Sequence, residues 1–402
     1  MKLSLTRNLF LLLLLAGTVN ASLIAKDKRP EAKAPDFKLT YDIQATSVKD
    51  QYRTSTCWSF ATISFLESEI LRNQHKDYNL SEMYIIRKVY LEKAERFIRM
   101  HGNMNFAGGG EPNDVIDAIK KYGLMPEEAY SGLLNDSLKH NHIEMDKELR
   151  AFVNSIIRNP QKNYTDDWKV EFKAIMDKYL GKVPETFKFE GTKYTPESFA
   201  NSLDLNLDDY ILITSFSHHP FYSRFILEVP DNWSWGEVYN VPLNELTRIA
   251  DTAITEGYSL VWAADNTEKG FDFNDGMAVV PKILYESGHQ KEKLKIDRMS
   301  TEEREKLFFN LNNPVDELTV TQQNRQDAFD NYSTTDDHGM HIVGKALGRD
   351  GKEYYYVKNS WGINNKYSGY LYVSDAYFMY KTISIMVDKK AIPQELRNRL
   401  KL

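Results

Sequence analysis

DQYRTSTCWSFATISFLESEI, residues 50–70, contains the only cysteine of the chain, Cys57, with small polar residues before it and an amphipathic run after it. Trp58, Ala61 and Phe65, with Ile63, Leu66 and Ile70, recur at helical spacing, so the stretch reads as a helix that begins near Cys57. A thiol at a helix N-terminus sits beside unpaired backbone N–H groups and the positive end of the helix dipole, and both favour the thiolate. An isolated cysteine is as readily a small buried apolar residue. By itself the stretch leaves the two readings even.

Downstream, SEMYIIRKVYLEKAERFIRM (81–100) reads as a second helix, and AGGGEPNDVIDAIKKYG (107–123) as a glycine bend at Gly108–Gly110 followed by a helix that stops at Gly123. Residues 131–207 are charged and helix-like without evident chemistry, and read as an insertion. From 208 onward the pattern changes to short apolar strands: YILITSF, YSLVWAAD, HIVGKAL, EYYYVK, GYLYV and TISIMV. A helical part (37–130) and a strand-rich part (208–390) predict an α+β architecture with a cleft between them.

With 402 residues, 42% of them hydrophobic, the chain has ample material for a large core. Lys2 and Arg7 precede an apolar run from Leu9 to Ala16, and Val19-Asn20-Ala21 supplies small residues at a cleavage spacing, so residues 1–21 read as an export signal. The run is too short to span a bilayer, which takes about 20 apolar residues. The expected product begins near Ser22, with a flexible leader over 22–36, and is periplasmic or secreted from a bacterium, without stable membrane insertion. Loss of Lys2 and Arg7 moves the net charge from −6 to −8, which argues against a nucleic-acid partner. One cysteine cannot form an intramolecular disulfide, which is unusual for an exported chain. The thiol therefore needs another reason to be there.

That reason lies in TTDDHGMHIVGKALGRDGKEYYYVKNSWG, residues 334–362. Two strands flank a turn at Gly348–Gly351, and a hairpin about that turn brings His338 and Asn359 to one end. A carboxamide beside an imidazole fixes its tautomer while the other ring nitrogen faces a thiol. Cys57, His338 and Asn359 are thus candidates for nucleophile, base and orienter. His341, the rival histidine, falls on the opposite face of an alternating strand and reads as structural.

Gln51-x5-Cys57-Trp58, then Asp337-His338-Gly339-Met340, then Asn359-Ser360-Trp361-Gly362 resembles, in this order, the papain-like cysteine peptidases, and the wide spacing between Cys57 and His338 is similar to the bleomycin hydrolase and bacterial aminopeptidase C branch. The resemblance implies a papain-like fold, with a helical left subdomain and a β-barrel-like right subdomain around the cleft. It implies hydrolysis of peptides, with aminopeptidase action, through a thioester on Cys57. His338 would carry the proton, Asn359 would orient it, Trp361 would shield that contact, and Gln51 would join the Cys57 N–H in an oxyanion hole. Gly109 and Gly110, with Trp58, would line the substrate path. No metal or organic cofactor is implied, and the branch forms hexamers.

Ser55 stands where the family usually has glycine, which puts the adjacent subsite in question. In the branch the C-terminal arm lies in the cleft and restricts the enzyme to N-terminal trimming. The tail here, AIPQELRNRLKL (391–402), departs from that ending; Leu396 and Leu400 at i,i+4 read as a short helix docked on a surface. His218-His219 and His140-x-His142 lack accompanying carboxylate or thiol spacing and read as surface residues, and Asp336-Asp337 as solvated loop acids.

Overall fold

Helix α1 (Cys57–Gln74) is buried on all sides from Trp58 to Leu71, although its sequence is amphipathic. Its polar residues are accommodated by partners. Thr62 Oγ1 donates to the Trp58 carbonyl at 2.8 Å, Ser59 Oγ to the Glu82 carbonyl at 3.3 Å, and Glu67 pairs with Lys49 at 3.1 Å. Buried polar groups with partners avoid most of the desolvation penalty, so a central helix can carry them. The computed structural model describes residues 36–134, 139–159, 167–286 and 289–402, and Asp36–Leu402 forms one compact unit. The expected export signal, and the leader up to residue 35, lie outside the described residues.

Strand β1 (Phe37–Asp42) leads into α1, which packs beside α2 (Glu82–Arg99) and α3 (Pro112–Tyr122). Ser81 caps α2 by accepting the Tyr84 N–H at 3.1 Å. Helix α3 opens with Pro112 and closes at Gly123, whose φ of +75° suits glycine and whose Cβ position lies 2.3 Å from Pro196 backbone atoms. Residues of the expected insertion form α4 (Ile143–Arg158), α5 (Trp168–Leu180), the hairpin β2 (Phe187–Phe189) and β3 (Thr192–Tyr194), and α6 (Pro196–Ser202). Met145, Leu149, Val153, Phe172 and Met176 join the same core as Trp58, Ile63 and Ile85. This segment therefore thickens the helical half.

The second half is a sheet. In chain order come β4 (Tyr210–Thr214), β5 (Arg224–Ile226), β6 (Glu237–Asn240), α7 (Leu243–Thr255), β7 (Leu260–Ala264), β8 (Phe271–Asp272) and β9 (Met277–Ala278). The short helices α8 (Lys282–Tyr285), α9 (Gln290–Asp297), α10 (Thr301–Phe308) and α11 (Gln322–Asp330) follow. Then β10 (His338–Gly348), β11 (Glu353–Lys358), β12 (Tyr370–Ser374), α12 (Asp375–Lys381), β13 (Thr382–Asp388) and α13 (Gln394–Leu400) complete the chain. The strands lie in the order β5-β6-β4-β13-β7-β10-β11-β12-β9-β8, with β1 on β10. The mixed α+β class matches the expectation, but among the described residues the sheet stays open between β5 and β8 instead of closing as a barrel.

Strand β10 makes the junction between the halves. Its first residues pair with β7 from His338↔Ala264 to Ile342↔Leu260, and its last pair with β1. The switch occurs at an irregularity between Ile342 and Gly344, where a Cβ on Gly344 would stand 2.1 Å from the Tyr41 carbonyl oxygen. Met340 and Ile342 enter the sheet core with Trp262 and Tyr377, while Gly339 and His341 face α1.

The tail docks by α13. Leu396 and Leu400 are buried in the sheet core and Leu402 packs against it. Arg399 reaches Glu245 of α7 at 3.0 Å and lies 3.6 Å from the Tyr222 ring centroid, while Glu395 pairs with Arg248. Leu396→Ala is expected to lower stability by about 2–5 kcal/mol, read as an earlier urea midpoint with unchanged slope.

Candidate active site

Cys57 is the first residue of α1, and Thr56 precedes it without a side-chain cap to the helix. The Ser59 N–H is taken by the Thr56 carbonyl at 3.0 Å, while the Trp58 N–H lies at the thiol. Gly339, the residue after His338, seats against this turn: a Cβ there would stand 3.2 Å from Trp58 Cα and 3.4 Å from the Cys57 carbonyl carbon. Glycine at 339 lets the start of β10 come this near the start of α1 without crowding; a side chain there would need the turn to give by a few tenths of an ångström. His338 Nε2 donates to Asn359 Oδ1 at 2.8 Å, which leaves Nδ1 as the ring nitrogen that can take a proton. Asn359 Oδ1 also accepts the Ser360 N–H at 2.8 Å, which fixes the amide's orientation. Trp361 stacks on the imidazole at 4.5 Å between centroids.

Gln51 is buried and oriented at both ends. Ser360 Oγ donates to its Oε1 at 2.6 Å, its Nε2 donates to the Thr54 carbonyl at 3.0 Å, and its backbone N–H meets the Ser360 carbonyl at 2.8 Å. One amide hydrogen of Nε2 remains for another acceptor. The sequence places Gln51 before the thiol; the role of Ser360 in setting which end of that amide is the donor emerges only from the packing.

Burial governs the electrostatics. It pushes the Cys57 thiol up to about 12, with the Asp336 and Asp231 charges adding to the rise and backbone contacts at Gly339 and Trp58 opposing it. Burial likewise pushes His338 down to about 4, against the Asn359 hydrogen bond and the Asp337 charge. Each charge alone is therefore penalised. Formed together by one proton transfer, thiolate and imidazolium are opposite charges at a helix N-terminus, an arrangement suited to a nucleophile activated on demand.

The sequence matches the Peptidase C1-like family over residues 15–307 and 307–402. The chain belongs to that family. It is 22% identical to aminopeptidase G of Lactobacillus delbrueckii subsp. lactis, over 89% of this chain and 84% of that one. It is also 22% identical to bleomycin hydrolase of Homo sapiens, over 87% and 81%. A crystal structure of pepw from Lactobacillus rhamnosis HN001 superposes with a TM-score of 0.69 at 19% identity, covering 90% of this chain and 84% of that one. The chain is thus a papain-like cysteine peptidase.

Around this peptidase centre the glycine segment is wedged in place. Trp58 is buried beneath it and donates from Nε1 to the Gly108 carbonyl at 2.9 Å, so its place is under the segment and not in the cleft. A Cβ on Gly110 would lie 3.0 Å from the Trp58 ring, and one on Gly109 would lie 1.8 Å from Asp231 Oδ2. Lys93 holds the Ala107 carbonyl at 2.9 Å and also the Gly109 carbonyl. Ser55 is not in the left-handed region and lies across from Gly108, whose Cβ position is 2.9 Å from that of Ser55. The serine is accommodated because its neighbour is a glycine.

Several sequence readings change here. Asp336 is half-buried beside Glu111, the fully buried carboxyl at the N-cap of α3, and burial raises it to about 7, so it is not a solvated loop acid. His142 is buried, not a surface residue, and its pKa falls to about 3, chiefly through burial. His341 is buried beside Ser64 Oγ at 2.9 Å, in a network where Lys358 donates to Ser64 at 2.7 Å and Thr46 at 3.1 Å. Glu111 and Asp231 lack any local sequence signal because their partners come from distant parts of the chain.

Among the described residues one trio could hold an ion: His218, His219 and Glu228. Gln326 Oε1 accepts the Ser217 N–H at 2.6 Å, so its Nε2 donates to His218 Nδ1 at 2.9 Å, and His218 Nε2 carries the proton shared with Glu228 at 2.9 Å. That tautomer occupies the lone pair a metal would need.

Proposed function

We propose that this chain is an exported aminopeptidase, hydrolysing peptides through a thioester on Cys57. The observation that carries the catalytic part is the 2.8 Å contact from His338 Nε2 to Asn359 Oδ1, at the strand end that Gly339 seats on the first turn of α1. Cys57 Sγ attacks the scissile carbonyl as its proton passes to His338 Nδ1. Gln51 Nε2 and the Cys57 N–H stabilise the oxyanion. His338 returns the proton to the leaving amine, and water then cleaves the thioester with His338 as base. The names of several relatives, among them aminopeptidase G, support the exopeptidase part. Lys2 and Arg7 before an apolar run support the reading of export to the periplasm or out of a bacterial cell.

The test compares fluorogenic peptides with free and acetylated N-termini, using the chain from Ser22 under reducing conditions. Cleavage confined to the free-amine set is expected. The second reading is an endopeptidase, favoured by one observation: the tail packs by Leu396, Leu400 and Leu402 on the sheet core beside α7. Equal cleavage of the two sets would establish that reading instead.

A further inference from the structure

The Glu111 carboxyl is 1% exposed and neither of its oxygens accepts a hydrogen bond from a donor group. A buried carboxyl without donors carries a desolvation penalty that a folded protein rarely keeps without use. Its neighbour is another carboxyl, Asp336, and burial together with the charges of Asp336, Asp114 and Asp231 raises the Glu111 carboxyl well above the ordinary carboxylate range. Asp231, from the turn between β5 and β6, places Oδ2 directly over Gly109 while its Oδ1 accepts from Asn105 Nδ2 at 2.6 Å. It is half-buried.

These three acids come from the start of α3, the loop before β10 and the turn after β5, and they converge where the glycine segment passes the His338 strand. Asp336 stands two residues before His338, and Glu111 directly follows Gly110. Asp336 and Asp231 both lie near enough to Cys57 for their charges to act on the thiol. The neighbouring cation, Lys93, is held by the carbonyls of Ala107 and Gly109, and among the described residues no lysine or arginine forms an ion pair with Glu111, Asp231 or Asp336. In the first residue of a peptide the α-nitrogen is two bonds from the carbonyl carbon that is attacked. A primary ammonium there brings one positive charge and three N–H donors, which these acids are without.

Resting on the aminopeptidase reading, we propose that Glu111, Asp336 and Asp231 form the subsite that receives the free α-ammonium of the substrate's first residue. The entering ammonium supplies the positive charge and the N–H donors that these carboxyls are without.

The experiment measures kcat and KM for wild type, Glu111→Gln and Asp231→Asn on three fluorogenic substrates: alanyl, N-acetyl-alanyl and N-acetyl-lysyl-alanyl. Both variants should lose about 10- to 100-fold in kcat/KM on the alanyl substrate, mostly in KM, while whatever slow N-acetyl-alanyl turnover the wild type shows at high enzyme concentration changes by no more than about twofold. Glu111→Gln is isosteric and Asp231→Asn lies on a half-buried turn, so circular dichroism and an unfolding midpoint verify that each folds. An equal loss on all three substrates, or none, would overturn the subsite while leaving a wild-type preference for free amines intact. A loss confined to N-acetyl-lysyl-alanyl would also overturn it, assigning the acids to a basic side chain. Wild type that cleaves the alanyl and acetylated substrates equally would remove the aminopeptidase reading and the subsite with it.

Discussion

Cys57→Ala and His338→Ala are each expected to lower peptide cleavage on the order of 10⁴-fold or more, down to the residual catalysis that binding and the oxyanion donors still supply. The two losses should not add, because nucleophile and base act as one unit. The physical reason lies in the burial of the thiol. With Cys57 pushed up to about 12, roughly one molecule in 10⁵ would carry a thiolate at pH 7 without help. In the proposed mechanism His338 supplies that help by taking the proton during attack. His338→Ala should therefore slow iodoacetamide alkylation of Cys57 at pH 7 by at least about 100-fold, a readout independent of peptide binding. The sign with pH follows from the same site. His338 must be neutral to act as base, and its folded value of about 4 lies below the usual 6.5, so activity is present above that value and disappears as the pH falls through it. An alkylation rate unchanged in His338→Ala would mean that another group activates the thiol.

Gln51→Ala should lower kcat by about 10²–10³, or about 2.7–4 kcal/mol in the barrier, with little change in KM, because the donor acts on charge that exists only in the transition state. The backbone pairing of Gln51 with Ser360 at 2.8 Å survives this substitution, so the loop should hold. Ser360→Ala removes the hydroxyl that donates to Gln51 Oε1 at 2.6 Å. It leaves the donor in place but free to turn over, and a loss of about tenfold in kcat, again without a KM change, is the expected outcome. If Gln51→Ala instead raised KM and spared kcat, the side chain would be binding substrate in the ground state. Rate profiles of the two variants on one free-amine substrate decide between these roles.

Local signals were sufficient for much of this molecule. The i,i+3,i+4 apolar spacing after Cys57, the serine before α2, and Pro112 and Gly123 at the ends of α3 act over one or two helical turns, and each element formed where its residues called for it. The hairpin about Gly348–Gly351 is equally local, and it alone brings His338 and Asn359 to one end. The order of the motifs carried the family. Neither composition nor periodicity, however, could show that α1 would be buried all round, since that depends on β10 and α2 arriving on its polar faces.

What only the tertiary structure decided is the set of contacts between residues far apart in sequence. Ser360 orients Gln51 across 309 positions, and Lys93 holds the Gly109 carbonyl from helix α2. The open sheet follows from which strands found edge partners, and the tail's position on α7 from where a complementary apolar face lay. The acids show the division most plainly. In sequence Glu111, Asp231 and Asp336 are unremarkable charges on separate segments, and each would be solvated in isolation. Folding sets two of them against each other and the third over Gly109, and a carboxyl's chemistry depends on which groups surround it once water is excluded.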